Sequence, residues 1–81
     1  MTRDEILGKL RELMETASRE RVDWDGVSEA SQIADLGFDS LTILDLIYDI
    51  QQDFDLEFEA EEMVEIRTVG ELADFLQEKS T

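Results

Sequence analysis

Three segments of the sequence repeat apolar residues at spacings of three and four, which places those residues on one face of an α-helix. The segments lie within residues 6–17, 41–54 and 69–76. The chain has 81 residues and no cysteine, so packing of these faces must hold it together without disulfides. We therefore expect one all-α domain over 1–81, a small bundle of three longer helices and one short helix, with a long first loop.

Local signals mark where the first and last helices begin. Thr2 and Glu5 fit a capping box, in which the hydroxyl and the carboxylate each accept a backbone amide of the other residue. Thr68 and Glu71 fit a second capping box. Both boxes directly precede an apolar helical pattern, so they predict helix starts.

Two stretches connect the helices. Residues 19–35 predict a long loop with weak structure, in which Trp24 is expected to anchor the loop against the core. Residues 55–59 alternate polar and apolar side chains and predict an extended connector held by Leu56 and Phe58. The short helix is expected within 60–65.

The second helix has a wider apolar surface than a buried face requires. One stripe follows the rhythm of a buried face and contains Ile43, Leu46, Ile47, Ile50 and Phe54. A neighbouring stripe contains Leu41, Leu44 and Tyr48, and Asp45 and Asp49 lie on the polar side. Either another helix or a partner protein must cover this second stripe.

Acidic residues dominate the charge. The chain has 22 acidic and 7 basic residues, a net charge of −15, and no basic residue stands between Arg21 and Arg67. Such a field repels nucleic acid and anionic membranes and attracts proteins with basic patches, although it also serves solubility. We expect a monomer that binds no nucleic acid and does not insert into membranes. The first residues, 1–5, do not resemble a signal peptide, so a cytoplasmic location is expected.

The composition disfavours an enzyme. The chain has no histidine and no cysteine, the commonest groups for acid–base and nucleophilic catalysis near neutral pH. A serine hydrolase is disfavoured because no histidine could activate a serine. The segment 23–26 begins somewhat like a calcium loop but lacks the further ligands that such a loop needs. We expect no catalytic residue and no metal site.

Segment 35–41 contains the most informative serine. Gly37 allows a sharp turn, and Asp39 or Ser40 then begins the second helix. Ser40 has two interpretations: it caps the helix, or its exposed hydroxyl carries a phosphate that the helix dipole and free amides favour. Asp39 could then hold a divalent cation beside that phosphate.

Residues 36–41, followed by 44–46, resemble the acyl carrier protein pattern around the serine that carries phosphopantetheine. Residues 53–56 resemble the end of that family's second helix, and 66–72 resemble the start of its last helix. The resemblance extends from about residue 6 to 76, with the motifs in the correct order and spacing.

The resemblance implies that a phosphopantetheinyl transferase esterifies Ser40 with 4'-phosphopantetheine from coenzyme A. It implies that Asp39 is the family's acidic neighbour of that serine. Leu41, Leu44 and Tyr48 match positions that contact synthase or acyltransferase partners, and Asp45, with Asp49 nearby, offers carboxylates to their basic patches. Acyl groups would travel as thioesters on the arm, so the protein itself needs no cysteine.

Several residues differ from carriers of primary fatty acid synthesis. Gln51 and Gln52 replace usual glutamates, Tyr48 replaces a frequent methionine, and Trp24 and Phe38 are unusual. Within the expected range of a discrete carrier for fatty acid, polyketide or specialised lipid biosynthesis, these differences argue against primary fatty acid synthesis. They favour a specialised carrier in polyketide, lipid-modification or other secondary pathways.

Two alternatives stay open. A peptidyl or aminoacyl carrier would use the same arm, although such carriers usually have a second glycine or a histidine where this chain has Phe38 and Asp39. An unmodified acidic helical interaction module would need no arm. If the chain is an acyl carrier, we expect its bundle to open between the second and third helices to shelter an acyl chain, because the apolar side chains of Ile47, Ile50, Met63 and Val64 could line such a gap.

Overall fold

The computed structural model describes residues 2–18 and 22–80, apart from the side chains of Ser40 and Ala60. The helices are α1 (Arg3–Ala17), α2 (Ser40–Phe54) and α3 (Val69–Lys79), and α1 contacts both α2 and α3. The predicted all-α bundle of three longer helices is confirmed. No helix in the described part of the chain is both long and apolar enough to span a bilayer.

The core forms where the predicted apolar faces meet. Ile6, Leu10, Leu46, Ile50 and Leu72 are fully buried, so all three helices contribute to one cluster. Burial of each such side chain contributes roughly 1.5–3 kcal/mol relative to exposure. The remaining buried apolar residues are Met14, Ile33, Leu36, Phe38, Ile47, Phe54, Phe58, Met63, Val69, Ala73 and Leu76.

The first predicted capping box is confirmed, whereas only half of the second is observed, because the Thr68 amide does not donate to the Glu71 carboxylate. The Glu5 amide donates to the Thr2 hydroxyl oxygen at 3.2 Å, and the Thr2 amide donates to the Glu5 carboxylate at 3.4 Å. At α3 the Glu71 amide donates to the Thr68 hydroxyl oxygen at 3.1 Å, while that hydroxyl donates to the Glu71 carboxylate. Both threonines therefore satisfy amides that a helix start leaves without intrahelical partners.

The first loop has more structure than the sequence predicts. Two 3₁₀ turns, Trp24–Gly26 and Ile33–Leu36, lie within it, and Trp24 packs partly buried against the core as expected. Residues 19–21 of the predicted loop lie outside the described residues. Short 3₁₀ turns carry little periodicity, so the hydrophobic pattern alone did not reveal them.

The end of this loop runs antiparallel to the start of α3. Gln32 and Thr68 form an isolated bridge, and the amides of Val69 and Gly70 donate to the Ser31 and Glu29 carbonyls at 3.0 and 2.8 Å. A β-carbon on Gly70 would lie 3.0 Å from the Glu29 carbonyl oxygen. A side chain at position 70 would therefore press against Glu29, because the two backbones approach closely.

Arg3 links α1 to the contact between the first loop and α3. Its guanidinium donates to Glu29 of the first loop and to Asp74 of α3. These two hydrogen bonds, to Glu29 and then to Asp74, raise the pKa of Arg3 above its usual value. The arginine thus stays charged and links three parts of the chain.

The connector between α2 and α3 matches the prediction in outline. Asp55 ends α2 in the left-handed region with φ of 54°, and Phe58 then packs edge-on against Phe75 at a centroid distance of 5.0 Å. The predicted short helix within 60–65 is a 3₁₀ turn, Ala60–Met63.

Glu62 links the 3₁₀ turn Ala60–Met63 to α3. Its carboxylate accepts from the Lys79 ammonium at 2.8 Å and from the Glu59 amide at 2.9 Å. The hydrogen bond from Lys79, and to a smaller extent that from the Glu59 amide, lower the pKa of Glu62 below its usual value.

Candidate functional site

The start of α2 is shaped by a glycine turn and an aspartate cap. Gly37 takes a φ of 89°, in the left-handed region that glycine adopts without strain. The Asp39 carboxylate then accepts from the amides of Leu41 and Thr42 at 3.0 and 2.8 Å. Asp39 is therefore the N-cap, and Ser40 is the first residue of the helix.

This geometry separates the two interpretations of Ser40. Because Asp39 supplies the cap, helix capping does not require a serine at position 40. The expectation that the amides at this helix start are free is partly wrong, because the amides of Leu41 and Thr42 donate to the Asp39 carboxylate. The Ser40 hydroxyl lies outside the described side chains, so its exposure stays a prediction.

The second stripe of α2 is uncovered, so no other helix of the described chain covers it. Leu41 is 75% exposed, Leu44 52% and Tyr48 64%, whereas most large apolar side chains of the described chain are buried. Val64, after the last 3₁₀ turn, is also 75% exposed. A contiguous apolar surface of this kind on a small protein usually marks a contact with another molecule.

Two carboxylates border this stripe. Asp45 is exposed and Asp49 is partly exposed on the same helix. Together with Tyr48 and the end of α1 at 16–18, they line a shallow depression of about 380 Å³. The structure thus brings the predicted apolar and acidic partner residues onto one surface.

An open cavity of about 500 Å³ lies beside the start of α2. Its walls come from the first loop, from α2 and from the segment after the last 3₁₀ turn. Three of the four residues expected around a cargo gap line this cavity, and the fourth, Ile50, is fully buried in the closed bundle. The lining residues are Gln32, Ile33, Ala34, Phe38, Asp39, Ile43, Leu44, Ile47, Met63, Val64, Ile66 and Arg67.

Arg67 was not predicted from the sequence to be part of this site. Its distance of 27 positions from Ser40 in the chain gave no signal of proximity, which arises only when the first loop pairs with the start of α3. Among the described residues, no group of three or more acidic side chains is arranged to hold a metal ion.

Comparison with known proteins identifies the type of site. Residues 5–76 match the family described as a phosphopantetheine attachment site. The chain is 42% identical, over 82 aligned positions, to an acyl carrier protein of Rubrobacter xylanophilus, covering 100% of this chain and 99% of that one. An acyl carrier protein of Bdellovibrio bacteriovorus is 44% identical over 59 positions, covering 72% of this chain and 76% of that protein.

A solved structure supports the same assignment. The crystal structure of an acyl carrier protein from Thermotoga maritima superposes with a TM-score of 0.78 at 30% identity, covering 95% of this chain and 88% of that chain. The fold and the matched region together define a carrier domain with a prosthetic-group attachment site. The chain belongs to the acyl carrier protein family.

The family implies a phosphopantetheine prosthetic group, and the residues at the start of α2 fit one. The positive end of the α2 dipole favours a phosphate at this position. The neighbouring cavity presents Phe38, Ile43 and Ile47, which would contact the methyl and methylene groups of such an arm. Members of this family are carriers that interact with synthase enzymes and a transferase, and are not generally catalytic themselves.

Proposed function

We propose that this chain is a discrete, single-domain acyl carrier whose 4'-phosphopantetheine arm is attached to Ser40. Coenzyme A is the donor of the arm. The carrier serves fatty acid, polyketide or specialised lipid biosynthesis, and it acts as a cytoplasmic monomer. The relatives described above bear the name acyl carrier protein, which favours acyl over aminoacyl cargo.

One structural observation carries the assignment of Ser40. Asp39 caps α2, so Ser40 occupies the first helical position without being needed for the cap. The exposed stripe follows it directly, and Asp39 lies in the wall of the neighbouring cavity. An arm attached at this position would start beside both an apolar cavity and a partner surface.

The attachment reaction requires only a hydroxyl from this chain. The Ser40 oxygen attacks the β-phosphorus of coenzyme A, loses its proton, and forms a phosphodiester as 3',5'-ADP leaves. The transferase supplies the base and the metal ion, and Asp39 is placed beside the new phosphate. The arm provides the thiol that forms the acyl thioester, which explains how a chain with no cysteine can carry acyl groups.

Partner enzymes are proposed to bind the surface formed by Leu41, Leu44, Tyr48, Asp45 and Asp49. The apolar side chains can be buried against a partner, and the carboxylates can steer a basic patch toward them. A phosphopantetheinyl transferase and synthase or acyltransferase enzymes are the partners that this surface fits.

The cavity is proposed to shelter part of the cargo. Ile47 and Met63 are buried in its wall, and Val64 lies at its exposed edge. Its volume of about 500 Å³ falls within the range of small-molecule sites, which is roughly 300–1,000 Å³.

Intact-protein mass spectrometry after incubation with a phosphopantetheinyl transferase, coenzyme A and magnesium tests the attachment site. The wild-type chain should gain the mass of one arm, and Ser40→Ala should gain none. Ser28→Ala, which removes an exposed serine from the first loop, should be modified like the wild type. Modification of Ser40→Ala would refute the assignment of the site.

A further inference from the structure

Arg67 differs from the other described cations in having no acidic partner. Arg3, Lys9, Arg11 and Lys79 each form an ion pair with a carboxylate. The side chain of Arg67 makes no ion pair or hydrogen bond with any residue that the structure describes. In a chain of net charge −15, an arginine without a carboxylate partner is unexpected, since acidic groups are abundant.

The backbone around Arg67 is fixed, so the side chain starts from a defined position. The Arg67 carbonyl accepts from the Ile33 amide at 2.9 Å, and the next residue, Thr68, forms the bridge with Gln32. The Ile66 amide donates to the Met63 carbonyl at 3.0 Å. Residues on both sides of Arg67 are therefore held in place while its guanidinium remains exposed.

Arg67 lies in the wall of the cavity beside the start of α2, and it is the only basic residue among the described residues that line it. Most of the wall is apolar, including Ile33, Phe38 and Met63, and methylene groups would gain free energy by contact with it. A ligand that matches this lining has an apolar stretch and one anionic group.

We propose that Arg67 is a specificity residue that binds the free carboxylate of a dicarboxylic acyl group tethered in this cavity. The inference rests on the proposed attachment of the arm at Ser40 and extends it by naming the class of cargo. Guanidinium and carboxylate groups form paired hydrogen bonds of matching geometry, which makes arginine suited to this role.

The charge of the chain explains why such a residue would be needed. Asp39 also lies in the cavity wall, and the chain has a net charge of −15, so an anionic cargo would be repelled without a local cation. Asp39 already accepts two amides at the helix start, where the dipole offsets part of its charge. Arg67 is placed to offset the remaining repulsion.

The test compares two cargoes of equal carbon count. The transferase would load the arm from glutaryl-coenzyme A or pentanoyl-coenzyme A, with intact mass confirming loading of each variant. Cleavage of the thioester by hydroxylamine then reports how much the cargo is sheltered. Arg67→Gln should speed glutaryl cleavage about two- to fivefold, the effect of one partly exposed ion pair, and leave pentanoyl cleavage unchanged. High salt should reduce the difference.

Two further variants and one measurement on the wild type make the result specific. Arg67→Lys should keep part of the protection, because it keeps the charge. Arg11→Gln removes an arginine that pairs with Glu15 and Asp25 and is absent from the cavity wall, so it should match the wild type. In the wild type, the side-chain Nε–H resonance of Arg67 should shift on glutaryl loading and remain in place when the arm carries no acyl group.

Each outcome has a defined meaning. Equal glutaryl cleavage in wild type and Arg67→Gln would overturn the role of Arg67 while leaving the carrier function intact. A full shift of the Arg67 resonance with the unacylated arm would identify the arm's phosphate as its partner and overturn the cargo assignment. Failure of the wild type to gain any arm would overturn the proposed function, and the inference with it.

Discussion

Helices α2 and α3 are both amphipathic, yet they differ in how much of their apolar surface the protein covers. The apolar residues of helix α3 are buried or packed partly buried against the core. The first turn of α3 is hydrogen-bonded to the backbone of the first loop. Helix α2 buries one stripe and leaves Leu41, Leu44 and Tyr48 exposed. The difference indicates that α3 serves mainly stability, whereas α2 combines stability with a surface for other proteins.

The largest expected effect contrasts a leucine from each helix. Leu72 of α3 is fully buried, so Leu72→Ala should lower the free energy of unfolding by about 2–5 kcal/mol. Leu41 of α2 is 75% exposed, so Leu41→Ala should change it by no more than about 0.5 kcal/mol. Urea unfolding of both variants measures the contrast. Equal losses of stability in the two variants would contradict the claim that Leu72 serves the core and Leu41 does not.

The second prediction tests the contact between the first loop and α3. Gly70→Ala places a methyl group against Glu29, which should cost about 1–3 kcal/mol of unfolding free energy. Gly8 is the matched control, since a β-carbon there meets no atom within 4 Å. Gly8→Ala in the exposed middle of α1 should stabilise the chain by up to about 1 kcal/mol. Calorimetry of the two variants measures whether their effects on stability have opposite signs. A Gly70→Ala variant more stable than the wild type would refute the close approach of the two backbones.

The third prediction measures the function of the exposed stripe. Leu41→Ala should lower kcat/KM of a phosphopantetheinyl transferase about tenfold, which corresponds to about 1.4 kcal/mol of lost contact, without lowering the melting temperature. Leu41→Met keeps an apolar side chain and should retain most of the rate. An unchanged rate for Leu41→Ala, under conditions limited by kcat/KM, would show that this position lies outside the transferase contact.

The smallest expected effect concerns the link from Glu62 to α3. Bonding to Lys79 and to the Glu59 amide lowers the pKa of Glu62 in the folded chain. A carboxylate with a lowered folded pKa adds stability above its unfolded pKa and loses it as pH falls through the folded value. Glu62→Gln should therefore destabilise the chain slightly at pH 7 and have no effect in strong acid.

Glu61→Gln is the control for this prediction. Glu61 lies on the same 3₁₀ turn, and its side chain makes no hydrogen bond or ion pair within the described residues. The comparison uses urea unfolding at each pH. A Glu62→Gln effect that persists at low pH would show that the carboxylate charge is not its cause.

The helices were predictable because their signals are local. Thr2 with Glu5 fixes one start, and three- and four-residue spacing identifies the faces of all three helices. The same spacing separated the exposed stripe of α2, including Tyr48, from the buried one. The choice between Asp39 and Ser40 as the cap was not settled, because both residue types cap helices well and differ only in backbone position.

What the sequence did not reveal depends on contacts between distant residues. The pairing of Gln32 with Thr68 comes from loop backbone atoms, which leave no mark in hydrophobic periodicity. That pairing brings Arg67 to the cavity, and it also brings Gly70 close to the backbone of Glu29. Ile50 was expected beside Ile47 in a gap that opens between the second and third helices; in the closed bundle it is fully buried.

The central claim is that this chain carries an acyl arm at the start of α2. Fragmentation mass spectrometry of the protein isolated from the cells that make it tests this most directly. We predict that the peptide containing Ser40 carries phosphopantetheine, free or acylated, and releases it on fragmentation. An arm found on any other residue, or a Ser40 peptide that remains wholly unmodified in cells with an active transferase, would contradict the claim.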